Sequence, residues 1–227
     1  MASGVVLVFA AFLAVAVLVV VLSYLAAKRR REEMATYAAA HGWRFEAVQP
    51  LLVDRFTGPP FGLGSARRAY NVLYGSHEGR DLVSFDYEYE TRSTNGKETT
   101  TTTHRFSVLG LSMGLSMPPL SVDPENFLDR FVGRIAGNDI DLESEEFNRA
   151  FTVSCPDRKF ASDVLHPQMM EFLLEHRQLG WRLEQDSMLV IAQGQRTPAQ
   201  IDATIEVMDG ITDRVPEFVW LRLKGQG

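Results

Sequence analysis

The chain has a single cysteine, Cys155, so no internal disulfide can form and a disulfide-stapled fold is excluded. It also lacks HExxH, CxxC, a Walker loop and GxGxxG, which removes the usual signatures of metal and nucleotide sites. Basic charge is scarce: 23 Lys and Arg stand against 29 Asp and Glu, for a net charge of −6. Four of those basic residues sit together at 28–31, and without them 19 face 29, or −10. An acidic domain repels phosphate backbones, so nucleic acid is not an expected partner. No charged residue at all occurs from Met1 to Ala27.

What fills that stretch is an apolar run. As a helix, the 24 residues from Gly4 to Ala27 would reach about 36 Å, enough for a hydrocarbon core of about 30 Å. A signal peptide carries its positive charge before the apolar core, whereas here Lys28, Arg29, Arg30 and Arg31 follow it. The order predicts an uncleaved anchor with these four at the membrane interface, the amino end outside and the domain in the cytoplasm. A basic collar of this kind is drawn to anionic lipid, and the lone cysteine suits a reducing compartment. The next uncharged run, Phe106 to Val122, is broken by Gly110, Gly114, Pro118 and Pro119, leaving one span.

The organisation read from this is an anchor over 1–27, a basic juxtamembrane helix over 28–41 and a cytoplasmic α+β domain over 42–227. No Pro-, Gly- or Ser-rich hinge lies between anchor and domain, and Gly42 stands where a helix cap belongs. The domain is expected to be an antiparallel sheet packed with helices near 124–136, 167–179 (capped by Gly180) and 198–214. Asn95-Gly96 predicts a tight hairpin pairing Thr94 with Lys97, Phe85 with Phe106 and Asp86 with Arg105. One face then collects Val83, Phe85, Tyr87, Tyr89, Phe106 and Val108, while Ser84, Asp86, Glu88 and Arg105 turn to water. Beyond Phe106 the apolar residues change face, and Gly110 is placed to be a bulge that does it. The Met-rich tandem at 110–117 reads as a buried strand or core-covering loop, or else as an adaptable surface. Asp123-Pro124 should open a helix, Phe218 to Leu223 should close the fold as a strand, and Gly42-Trp-Arg-Phe-Glu with Gly180-Trp-Arg-Leu-Glu reflects two similar helix-to-strand junctions.

Candidate chemistry is thin. The alternation Asp139, Asp141, Glu143, Glu145 resembles the start of a calcium loop, but Ser144 stands where glycine is required and Ala150 where a bidentate glutamate is required. It reads instead as a strand entering a turn capped by Ser144. Cys155 with His166 or His104 could form a thiol–base pair, yet no helix start or local signature surrounds Cys155. His104 is expected to pack opposite Tyr87. Asp202, Glu206, Asp209 and Asp213 recur at helical spacing as one acidic face, solvated or meeting a basic partner. No catalytic, cofactor-binding or metal residues, and no cofactor, are assigned.

The pattern Leu142-Glu143-x-x-Glu146-Phe147-x-x-x-Phe151-x-Val153, followed by Asp157, Ala161, Leu165, Pro167, Met170 and Leu173, resembles the C-terminal signature of a domain-of-unknown-function family of bacterial membrane-anchored proteins. That resemblance, over about residues 139–195, implies a cytoplasmic α+β domain on an anchor in the bacterial inner membrane and no catalytic residue. The expected function is a single-pass membrane protein acting non-catalytically in protein interaction or sensing. The partners are the lipid bilayer and a protein with a basic surface, with no small-molecule substrate. The alternatives are a membrane-tethered hydrolase using Cys155, Asp157 or His166, and a lipid-head-group-binding module.

Overall fold

The computed structural model describes residues 2–96, 98–125 and 140–225. Its first element is one unbroken helix, α1 (Ala2–Ala40), about 58 Å long at 1.5 Å per residue. Anchor and juxtamembrane helix are thus a single rod. Gly42, in the left-handed region at φ +67°, ends it by a conformation that costs a glycine little. The Trp43 amide then donates to the Ala38 carbonyl at 2.8 Å, turning the chain into the domain.

The domain is α+β. Strands β1 (Arg44–Val48), β2 (Ser65–His77), β3 (Arg80–Asn95), β4 (Glu98–Ser112), β5 (Leu120–Pro124), β6 (Phe151–Ser154), β7 (Gly180–Glu184) and β8 (Ser187–Gln193) form one sheet. Its order is β1-β2-β3-β4-β8-β7-β5-β6, with every pairing antiparallel. Helices α2 (Glu145–Ala150), α3 (Arg158–Val164), α4 (Pro167–Glu175), α5 (Pro198–Arg214) and α6 (Glu217–Lys224) complete it.

Both faces of the sheet are buried, each under a separate core. One core joins Phe85, Tyr87, Phe106, Val108 and Leu189 to Leu52, Phe56 and Phe61, which descend from the segment after β1. The Phe61 ring meets Tyr87 edge-on at 4.9 Å. The opposite core joins Leu82, Leu109, Leu111 and Val190 to Met34 and Ala38 of α1 and to the inner sides of α3 to α6. Burying two faces explains why Leu109 and Leu111 change side without any bulge. Gly110 stays in register, opposite Val83 and Leu189, and an added Cβ there would lie 3.1 Å from each of those side chains.

Several expectations are corrected. The β3–β4 hairpin pairs Asn95 with Glu98, so Phe85 faces Val108, Asp86 faces Ser107, Glu88 faces Arg105 and Tyr89 faces His104. That is a slip of two residues, which preserves every side chain's face. The Tyr89 and His104 rings stack at 4.7 Å, and His104 Nε2 lies 2.8 Å from Thr91 Oγ1. Asp123 and Pro124 belong to β5 and do not open the helix expected near 124–136, whose residues from 126 on lie outside the described residues, as does Asp139. Residues 140–143 are not a strand: one bond, Ile140 amide to Val153 carbonyl at 2.9 Å, ties them to β6, and the Asn148 side chain brackets Leu142. Ser144 does cap α2, accepting from the Phe147 amide. Helix α4 stops at Glu175 because Gly180 already belongs to β7. Residues 217–224 are helix, since the buried pair Val219 and Leu223 repeats at four, not two. The Met-rich stretch divides: Ser112 ends β4, and Met113 and Met117 cover the core, their amides bonded to the Asp186 and Gln185 carbonyls.

Candidate functional site

The strongest concentration of polar chemistry lies where α1 meets the sheet. Asp86 and Glu88, expected to face water, are 2% and 8% exposed. A buried carboxylate is stable only when paired and hydrogen-bonded. Asp86 is paired from three directions. Arg30 of α1 grips it through Nε and Nη2 at 3.3 and 3.2 Å, in the planar fork that suits a carboxylate. The Asn71 amide donates at 2.8 Å and Gln195 at 3.0 Å. Asn71 reaches Asp86 because β2 bulges between Tyr70 and Leu73, with Asn71 itself in the left-handed region at φ +50°. Glu88 receives Arg68 at 2.7 Å, the Tyr70 hydroxyl at 3.2 Å and Arg105 at 3.3 Å. Burial, and then the charges of Asp86 and Glu88, push the Tyr70 pKa up, which keeps its hydroxyl a donor.

The collar is therefore not uniform. Arg30 retains 13% exposure and holds Asp86, while Lys28 lies 3.8 Å from Glu32 and both Arg29 and Arg31 are exposed. One and two turns further along α1, Met34 and Ala38 are each 1% exposed. The Tyr37 hydroxyl donates to Asp202 of α5 at 2.6 Å, and its pKa is raised by burial first and Asp202 second.

The acidic face of α5 is partly spent inside the molecule. Asp202 holds Tyr37, and Asp209 Oδ2 lies 2.7 Å from His77 Nε2 at the tip of the β2–β3 hairpin. Glu206 and Asp213 are exposed, and no bond or ion pair engages them among the described residues. His77, Glu78 and Asp209 bring ligand atoms within 4.8 Å of one another, a spacing a metal ion would fit. The sequence hid this set because Asp209 is distant from the other two in the chain.

The thiol–base pair is not assembled. Cys155 is 1% exposed and donates to the Asp157 carbonyl at 3.2 Å, and burial pushes its pKa up, against the reactive thiolate. His166 Nε2 instead lies 2.8 Å from the Arg214 carbonyl, and Asp157 caps α3 by accepting from the Phe160 amide. Across the sheet, Asp123 is pushed up to about 6 by burial despite Arg182. Asp86 and Glu88 look solvated in sequence because an alternating strand looks the same whether its polar side is wet or covered, and Arg30, expected at the membrane interface, turns to Asp86 instead. The available signal was Arg30 itself, a cation on the side of α1 that also presents Met34, Tyr37 and Ala38.

No protein-family model matches the chain, and no curated protein matches it. Among solved structures it is similar to the crystal structure of the mycobacterial trehalose monomycolate transport factor A, TtfA. The TM-score is 0.59 at 16% identity, over 82% of this chain and 96% of that one. At that identity the likeness is one of fold. It spans nearly all of the chain in that crystal structure, so the sheet and its helical layer are a shared architecture.

Proposed function

We propose that this chain is a non-catalytic interaction module, anchored by α1 in a bacterial inner membrane with its amino end outside and its domain at the cytoplasmic face. The observation that carries the reading is the seating of α1. One helix is long and apolar enough to cross a membrane, and the same helix enters the domain core through Arg30, Met34, Tyr37 and Ala38. A tether needs no such integration; a domain that must present a fixed surface beside a membrane partner does. The process we assign is lipid transport, which the name of TtfA suggests, with the partner an integral membrane component of that process. The resemblance of residues 139–195 to a family of membrane-anchored proteins without assigned catalytic residues supports the same reading. Glu206 and Asp213 are the partner-facing carboxylates of α5 in this proposal, and Arg29 and Arg31 the lipid-facing cations.

Photocrosslinking residues placed at Glu206 and Asp213 in living cells test the proposal. The expected product is one integral membrane protein with basic cytoplasmic loops, lost when the remaining one of the two carboxylates is changed to lysine. Crosslinks that survive charge reversal, or a reporter fused at Gly227 that is active only when exported, would overturn it.

A further inference from the structure

A guanidinium taken out of water needs an anion, because its desolvation is otherwise uncompensated. Among the described residues three other half-buried arginines obey this: Arg30 holds Asp86, Arg222 holds Asp163 at 2.7 Å, and Arg182 lies 3.7 Å from Glu184. Arg196 does not. It sits half-buried in the loop joining β8 to α5, and partial burial pulls its pKa down to about 10. Its bond is to a neutral group, Nη1 donating to Ser107 Oγ at 3.1 Å, and no carboxylate engages it among the described residues.

Arg196 borders a cleft of about 450 Å³ between α5 and the loop that joins α4 to β7. Around it stand further donors: His176, whose ring lies edge-on to Phe172, Gln178, and the Gln200 amide, whose oxygen is already taken by the cap of α5. Arg177 adds a second cation, half-committed to Glu146, and Glu175 is the one carboxylate on the lining. Ala192 and Val207 give the cleft an apolar floor. The position is near the collar as well. Gln195, the preceding residue, bonds the same Asp86 carboxylate that Arg30 grips.

We propose that this cleft is a binding site for a phosphate-type oxyanion, with Arg196 as its principal ligand. The anion completes the pairing that the fold leaves open, and its source is either the head group of an anionic lipid reached from the collar or a soluble phosphate. Occupancy of the cleft and partner docking on the outer side of α5 are separable.

The test uses the full chain in a phosphate-free maltoside detergent, with Lys28, Arg29 and Arg31 changed to Gln so that the collar contributes no charge. Inorganic phosphate is titrated in one arm and phosphatidylglycerol in the other, by calorimetry and thermal unfolding. Saturable binding is expected in at least one arm, weakened about ten- to a hundredfold by Arg196→Gln, as loss of charge-assisted hydrogen bonds predicts. Arg196→Lys should fall in between. Without anion, Arg196→Gln should unfold at the same temperature as the parent or higher, because it removes an uncompensated charge. Binding of phosphate identifies a soluble source, and response to the lipid alone identifies a head group. No saturable binding in either arm, equal binding by the Gln variant, or an anion-free unfolding temperature that falls with that variant would each overturn the site.

Discussion

The two halves of α1 are continuous in backbone and opposite in surroundings. Phe12 is 75% and Leu18 55% exposed, whereas Met34 and Ala38, on the same helix, are each 1% exposed. Apolar area left in water costs about 25 cal/mol per Å²; the first half, long and apolar enough to cross a membrane, suits a lipid solvent, while the second is covered by protein. The difference lies in the polar residues that interrupt each half. The first carries no charged residue and no side-chain bond to the domain; the second carries Arg30 and Tyr37, whose partners Asp86 and Asp202 fix its rotation and depth on the sheet. A bilayer can hold the first half at any angle about its axis. Only the second half makes the anchor part of a folded domain.

The comparison breaks most severely at Asp86. Asp86→Ala leaves Arg30 half-buried without its carboxylate and also frees Asn71 and Gln195, and should destabilise the domain by about 3–5 kcal/mol in denaturant unfolding. Arg30→Met combined with Asp86→Leu should recover much of that loss, since the uncompensated charge goes too. Next in size is Met34→Ala, which opens a cavity under α1 and should cost about 2–4 kcal/mol. Tyr37→Phe removes one charge-assisted bond and should cost about 1–2 kcal/mol, measured the same way. Because the folded Tyr37 pKa is raised above its ordinary value of 10.0, the wild-type advantage should be full below about pH 10 and shrink as pH rises beyond it. Smallest for the domain is Leu18→Arg in the exposed half. It should shift unfolding by less than about 0.5 kcal/mol, yet oppose membrane insertion by about 2.5–3.5 kcal/mol, read as soluble against membrane-bound protein in fractionation.

The same contrast explains what the sequence made legible. The apolar half of α1 announces itself by composition, and Gly42, Ser144, Thr197 and the period-two pattern of β3 and β4 are local signals that lead to the right elements. Thr197 forms the full capping box with Gln200. The α+β class followed from these. What local pattern cannot carry is how many faces a sheet buries. Asp86 and Glu88 alternate as wet residues do, and only α1, 56 residues upstream through Arg30, covers Asp86. The hairpin slipped by two residues for a related reason: Asn-Gly marks a turn but not which of its residues leads it, and faces alone cannot tell two registers of equal parity apart. The last helix reads as a strand in sequence because Phe218 and Trp220 alternate, while Val219 and Leu223, four apart, are the pair the core buries. Arg196 carried no signal at all, since its isolation from acids exists only in three dimensions.

Amide hydrogen exchange on the full chain in lipid nanodiscs tests most directly whether the anchor is part of the domain. If it is, amides of residues 30–40 exchange through the same opening as the middle of β3 and β4, with protection within about tenfold, and lose it together in Asp86→Ala. Residues 30–40 exchanging orders of magnitude faster than a fully protected sheet, unchanged by Asp86→Ala, would contradict the account.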